Sequence, residues 1–251
     1  MKSHLRTVLA AALVGVLHTV AAAHAAELVT NGGFEADGGE TWDPTGWQAF
    51  ADGLVGSIVA TDANVSPISG YATAGADQGA HYALIDAALP SASALVQRFV
   101  APTLTQATLS FSLFGNDQGD GVPYVDTTGL DASTGGADRP NQHMRVDILS
   151  AGASAFDTGA GMLRSFYVGG PNGRGYGDSP NAWSHFSFDV TDLLAAGGTF
   201  QLRFANVANQ AAFQTGVDAV SLSVTAVPEP GTWALTFAGL GLLGLAARRR
   251  G

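Results

Sequence analysis

The sequence predicts an all-β protein, an antiparallel jelly-roll β-sandwich, flanked by an N-terminal signal peptide and a C-terminal single transmembrane helix. Three observations carry this. Between residues 27 and 226, apolar and polar residues alternate with period two in many short runs, the pattern of strands with one buried and one wet face. Glycine is abundant (33 of 251 residues) and punctuates those runs as turns. Only Val190 to Gly197, VTDLLAAG, reads as a helical turn.

The chain begins with Lys2 and Arg6, then an apolar stretch from Val8 to about Val20, then Ala23-His24-Ala25. A basic start, a short apolar core and an A-x-A site make residues 1–25 a secretory signal peptide for signal peptidase and the export machinery, with the mature chain starting at Ala26. The apolar run is too short for a spanning helix.

The body, residues 26–226, follows. ATLSFSLF sets Leu109, Phe111 and Leu113 against Thr108, Ser110 and Ser112. HMRVDIL alternates Met144, Val146 and Ile148 with Arg145 and Asp147. WSHFSFDV, QLRFANV and VDAVSLSV repeat the pattern through Phe186/Phe188/Val190, Leu202/Phe204 and Val220/Leu222/Val224. LVGSIVA, HYALID, ALVQRFV and LRSFYV are further strands. About nine to eleven strands in ~200 residues make a sandwich. Without cysteine there is no disulfide, thiolate metal site or cysteine nucleophile.

Charge narrows the partners. The end segments hold five of the eleven basic residues, leaving six arginines against twenty carboxylates, a net charge of about −14. Such a body repels phosphate backbones, so nucleic acid is excluded as a partner. It attracts divalent cations.

Three loops stand out: Gly115 to Asn141, Gly169 to Ala182, and Ala208 to Gly216. If each strand from Ala107 onward reverses the one before, all three emerge at one end of the sandwich, and the last strand leaves from the other. Tyr124, Tyr176, Trp183 and Phe213 then meet at the loop end with Asn, Gln and Asp side chains. Flat aromatic faces with convergent hydrogen-bonding groups are what a glycan site needs. Trp47 is assigned to the core. Asp117, Asp120, Asp126 and Asp131 miss the EF-hand spacing and read as a solvated acidic loop.

Catalytic signatures are missing. His81, His143 and His185 lie in separate strands without metal-ligand spacing. There is no G-x-S-x-G elbow, and the body has no lysine for a phosphate loop. Twenty carboxylates leave a glycosidase pair open, but the body reads as non-enzymatic.

Residues 227–251 close the chain. Val227 and Glu229 each precede a proline and are pushed into extended conformations, so VPEP is a stiff extended peptide. Thr232 to Ala247 is uncharged over 16 residues, about 24 Å of helix, and Arg248, Arg249 and Arg250 follow.

The order of Val227-Pro228-Glu229-Pro230, apolar helix and arginine cluster resembles the PEP-CTERM sorting signal. The resemblance implies recognition by an exosortase, a membrane-embedded protease that cleaves near the motif. It also implies display at the cell surface or in the extracellular polysaccharide matrix of a Gram-negative bacterium. A second resemblance lies at the edges of the body. LVTNGGFE, then Gly46-Trp47, and the closing GVDAVSLSV are similar to galactose-binding-like modules, many of which bind carbohydrate. That likeness implies a structural calcium ion between Glu35 and Asp218, completed by backbone carbonyls. The alternative reading has Asp218 capping a turn and Glu35 in solvent. Three functions stay open: an exopolysaccharide-binding module, a purely structural matrix protein, and a polysaccharide hydrolase.

Overall fold

The computed structural model describes residues 25–36, 38–53, 56–87, 90–119, 121–126, 128–133, 138–170, 179–227 and 239–240. The chain divides into two units. His24–Val227 is the folded body. Met1–Ala23 with Pro228–Gly251 forms the other unit, almost wholly outside the described residues. The signal peptide, the transmembrane helix over 232–247 and the Arg248–Arg250 cluster therefore lie outside them, except residues 25 and 239–240. Among the described residues no helix is long and apolar enough to cross a membrane.

Among the described residues, eleven strands and one short helix build the body: β1 (Ala25–Glu27), β2 (Gln48–Gly53), β3 (Gly56–Thr61), β4 (Tyr82–Ala87), β5 (Ser91–Ala101), β6 (Leu104–Asp117), β7 (Gln142–Ser150), β8 (Met162–Gly169), β9 (Ser184–Asp189), α1 (Thr191–Leu194), β10 (Gly198–Ala208) and β11 (Phe213–Ala226). They form two antiparallel sheets. One runs β3-β4-β11-β6-β9, with β1 also paired to β11; the other runs β2-β5-β10-β7-β8. The predicted sandwich is thus present.

The inner faces follow the alternation. Leu109, Phe111 and Leu113 meet Val146, Ile148, Leu202 and Phe204 in the main core. Trp47 belongs to it, its ring 5.6 Å from Phe34 and 5.9 Å from Phe204. The expected helical turn is α1, where Asp189 Oδ1 accepts the Thr191 N–H at 2.8 Å.

The second sheet departs from the one-wet-face expectation. Strands β5, β10 and β7 are buried on both faces over most of their length. Leu130 and Ala155, from the loops after β6 and β7, cover Ala92, Ala94, Val96, Ala205 and Val207 on the outer face. Arg145, Asp147 and Arg203 share this layer. Asp147 accepts two bonds of 2.8 Å from Arg145 and pairs with Arg203, and the Asp147 and Arg203 side chains are fully buried. Arg203 also donates to the carbonyls of Ala155 and Asp157 at 2.8 Å. The network ties the 151–157 loop onto the sheet. A buried ion pair is sustained only when every remaining donor finds an acceptor, which these carbonyls supply.

The first strand region docks onto the last. The Val220 N–H donates to Gly32 O at 2.9 Å, and a Cβ on residue 32 would lie 1.9 Å from Val220 O. The ladder between β11 and β6 shifts register between Asp218 and Ser221, with Ala219 at φ 49°. This bulge gives the Asp218 side chain its unusual position.

Candidate functional site

The pairings place the loops. Phe213 is opposite Asp117, Ala208 opposite Gln142, Met144 opposite Gly169, and Leu113 opposite Ser184. The ends of β6, β8 and β10 and the starts of β7, β9 and β11 therefore share one end of the sandwich. Ala226 pairs with Leu104 at the opposite end.

The four aromatic residues expected there do not form one platform. Phe213 is fully buried, packed with Met144, Ala208 and Tyr167. It is corrected to a core residue: β11 begins at Phe213 rather than after Gly216, so the ring belongs to the strand and not to the loop. Trp183 is half-buried against the outer face of the first sheet, 4.8 Å from Phe114 and 5.9 Å from Tyr82. Its indole Nε1 donates to Gly75 O at 3.1 Å, so its polar edge is already used. Tyr124 is half-buried and bridges Gln142 through two main-chain bonds of 2.9 and 2.7 Å. Its carbonyl also lies 3.2 Å from His143 Nδ1. Tyr176 lies outside the described residues.

What the loop end holds instead is a cleft of about 190 Å³ between the edge strands β8 and β9. Leu113, Phe114, Met144, Tyr167 and Phe186 wall it; Gly115, Gly170, Asn181, Ala182 and Ser184 complete it. Tyr167 and Phe186 meet edge to face at 5.3 Å. The Tyr167 hydroxyl donates to Gly170 O at 2.7 Å. Asn181 is fixed twice: its N–H donates to Asn116 Oδ1 at 2.9 Å and its Nδ2 to Gly115 O at 2.7 Å. Among the described residues no charged side chain lines the cleft. The chemistry on offer is an aromatic wall, a thioether and a rim of amides and a hydroxyl. Sequence alternation alone puts Phe186 inward, but that β8 and β9 end their sheets side by side is a matter of long-range topology.

Glu35 and Asp218 do come to one region, beside β11 of the first sheet. A Cβ on Gly33 would lie 3.8 Å from the Glu35 Cγ and 4.0 Å from Asp218 Oδ1. Both carboxylates bind the same segment, residues 77–81. Asp218 Oδ2 accepts the N–H groups of Asp77 (2.9 Å) and Gln78 (3.0 Å), and its Oδ1 that of Ala219 (2.6 Å). Glu35 Oε1 accepts those of Ala80 (2.6 Å) and His81 (2.8 Å), and its Oε2 lies 3.3 Å from His81 Nδ1. Gly79 sits between them at φ 66°, where a Cβ would strike Glu35 Oε1 at 2.2 Å. The N–H bonds hold the Glu35 carboxyl below its ordinary range. Asp218 is fully buried, and desolvation pushes it up to about 6 despite its three N–H donors.

These residues do not fit calcium as they stand. The ion needs six to eight oxygens turned toward it, whereas five backbone N–H groups point at these two carboxylates. Among the described residues no three His, Cys, Asp or Glu side chains converge on a metal position. The pair works as an anchor for the 77–81 segment.

Nearby, Ser112 Oγ donates to Asp77 Oδ2 at 2.7 Å and lies 2.9 Å from His185 Nδ1. His185 Nδ1 is itself 3.5 Å from Asp77 Oδ2. In an acyl-transfer triad the imidazole meets the serine with one nitrogen and the acid with the other. Here one nitrogen faces both, and Ser112 is 2% exposed. The arrangement is a surface hydrogen-bond cluster.

Residues 226–250 match the family described as the PEP-CTERM protein-sorting motif. The chain matches no curated protein. Similar solved structures include TmCBM61 in complex with β-1,4-galactotriose, at 16% identity and TM-score 0.46, covering 78% of this chain and 97% of that one. The K3 cleaved adhesin domain of Lys-gingipain from Porphyromonas gingivalis W83 follows at 15% and 0.47, covering 80% and 100%. A Stig cyclase, Fisc, from Fischerella sp. TAU in complex with an indole compound stands at 15% and 0.47, covering 82% and 100%. Likenesses this distant assign no activity to this chain.

Proposed function

We propose that this chain is an exported, non-enzymatic surface protein, processed by an exosortase through its C-terminal signal, whose sandwich binds an uncharged sugar ring in the β8–β9 cleft. The observation that carries the sorting half is the match of the PEP-CTERM motif over residues 226–250. That motif implies handling by a membrane protease and sorting to the surface. The signal peptide over residues 1–25 supplies the export route, and the apolar 232–247 segment the temporary anchor. The alternation of successive strands β5 to β7 and β8 to β11 between the two sheets supports reading the sandwich as a jelly roll.

The binding half rests on the cleft. An apolar cavity of about 150 Å³ takes one benzene ring, so the 190 Å³ here suits one ring and no more. Tyr167 and Phe186 offer apolar surface to a ring face, and the Asn181 and Ser184 rim offers hydrogen bonds to hydroxyls. The ligand is uncharged for two reasons. Among the described residues the cleft has no charged group, and a body of about −14 repels polyanionic polysaccharide.

A glycan array carrying neutral and acidic polysaccharide fragments tests this. The chain binds neutral ends, and binding falls at least about tenfold in Tyr167→Ala and in Ser184→Trp, which fills the cleft from its rim. Silence across the whole array, or binding unaffected by both substitutions, refutes the reading.

A further inference from the structure

The sorting motif follows the last strand without a linker. Ala226 pairs with Leu104, and Thr225 pairs with Gln106 on one side and Ala25 on the other. Thr105 Oγ1 donates to Thr225 O at 3.2 Å, and the Val227 N–H donates to Thr103 O at 2.9 Å. The next residue is Pro228. Having no N–H, it donates nothing to the ladder.

This places a folded sheet against a protease substrate. A cleft that reads main chain needs several consecutive residues extended and unpaired, so that their N–H and C=O groups can bond the enzyme. On the N-terminal side of Pro228 those groups are occupied. Strand β6 holds one edge of β11 on both sides of the Ala219–Val220 bulge, and in a chain starting at Ala26 β1 holds the other edge through Glu27 opposite Ser223 and Ala26 opposite Val224. Yet this is the weak end of the strand. The ladder shifts register between Thr225 and Ala226. Both residues are only half-buried and Val227 is exposed, whereas Phe213 to Asp218 are fully buried. Strand ends with few buried contacts open locally without unfolding the whole body.

We infer that exosortase processing is gated by the fold: the end of β11, Ser223 to Val227, must unzip from β1 and β6 before the protease takes the residues ahead of Pro228. The gate rests on the sorting reading above and adds its rate-limiting step. The two strands that hold it come from opposite parts of the chain, so only a body with β1 in place holds the gate shut.

The test is pulse-labelling of the full chain in a host carrying the exosortase, following loss of the C-terminal segment by immunoblot. A six-residue Gly-Ser linker between Ala226 and Val227 supplies unpaired substrate and speeds processing about tenfold, the factor expected for one or two ladder hydrogen bonds. The same six residues between Gly38 and Gly39, where the backbone is open to solvent, leave the rate unchanged. Thr105→Ala, which removes one clamp on Thr225, speeds it two- to threefold, by about the factor one weak hydrogen bond carries. A linker chain that melts like the wild type and is processed no faster overturns the gate, because the enzyme then works on the body as folded. If even the wild-type chain keeps its tail, the sorting reading fails and the gate falls with it.

Discussion

Two buried groups should pull the stability of the body in opposite directions between about pH 7 and pH 4.5, and single substitutions should expose each. Asp218 rises from an ordinary 3.8 to about 6 on folding because its carboxylate is desolvated. The folded body therefore holds that proton more tightly than the unfolded chain. Asp218 adds stability fully below about pH 4 and gives it up as pH rises through about 6, a swing of roughly 2 kcal/mol between pH 7 and pH 4.5. His143 does the reverse. It is fully buried, and desolvation drops it from 6.5 to about 4, with Arg145 and Arg203 also opposing its charge. Its contribution is complete above about pH 6.5 and is lost as pH falls toward 4, again roughly 2 kcal/mol over the same window. The substitutions are His143→Asn, whose amide can still donate to Tyr124 O, and Asp218→Asn. The assay is urea unfolding of the 25–227 body at both pH values. Subtracting the wild type cancels every group common to both chains. His143→Asn gains about 2 kcal/mol relative to wild type on acidification, and Asp218→Asn loses about as much. Equal shifts in wild type and both variants would refute the reasoning, because neither group would then titrate across the fold as its burial requires.

Three further outcomes follow from the packing. Chelator leaves the melting temperature unchanged, because N–H groups rather than a cation satisfy Glu35 and Asp218; a chelator-induced drop restored by calcium would contradict this anchor. Asp147→Ala strands Arg145 and Arg203 without their shared carboxylate and costs about 4 kcal/mol in denaturant unfolding, while a loss below 1 kcal/mol would show the network to be solvated. Gly32→Ala forces a methyl into the Val220 carbonyl and lowers stability by about 2 kcal/mol or more, read in the same assay; wild-type stability would mean that the opening loop docks elsewhere.

Much of the fold was legible because alternation is a local signal. The inward sets of β6, β7, β10 and β11 follow directly from period two, and strand parity put three loops at one end. What stayed hidden depends on residues distant in sequence. Arg145, Asp147 and Arg203 read as an ordinary wet face, because the loops that cover them and the 56-residue separation between Asp147 and Arg203 leave no local trace. Phe213 falls within the loop expected over Ala208 to Gly216, where β11 has already begun. Gly216 is in fact a strand position where a Cβ would meet the Phe114 ring at 2.0 Å, so the glycine makes room for an aromatic on the neighbouring strand. Glu35 and Asp218 were brought together by their motifs, but composition says nothing of the five N–H groups that reach them. The cleft was invisible because its walls come from the edges of two different sheets.

The measurement that bears most directly on the account is the intact mass of the protein recovered from the surface or medium of its native host. The account predicts a chain that begins at Ala26 and lacks the segment from about Pro228 onward, including Arg248 to Arg250. A mass that retains those three arginines would contradict it, leaving the C-terminal segment as a plain anchor.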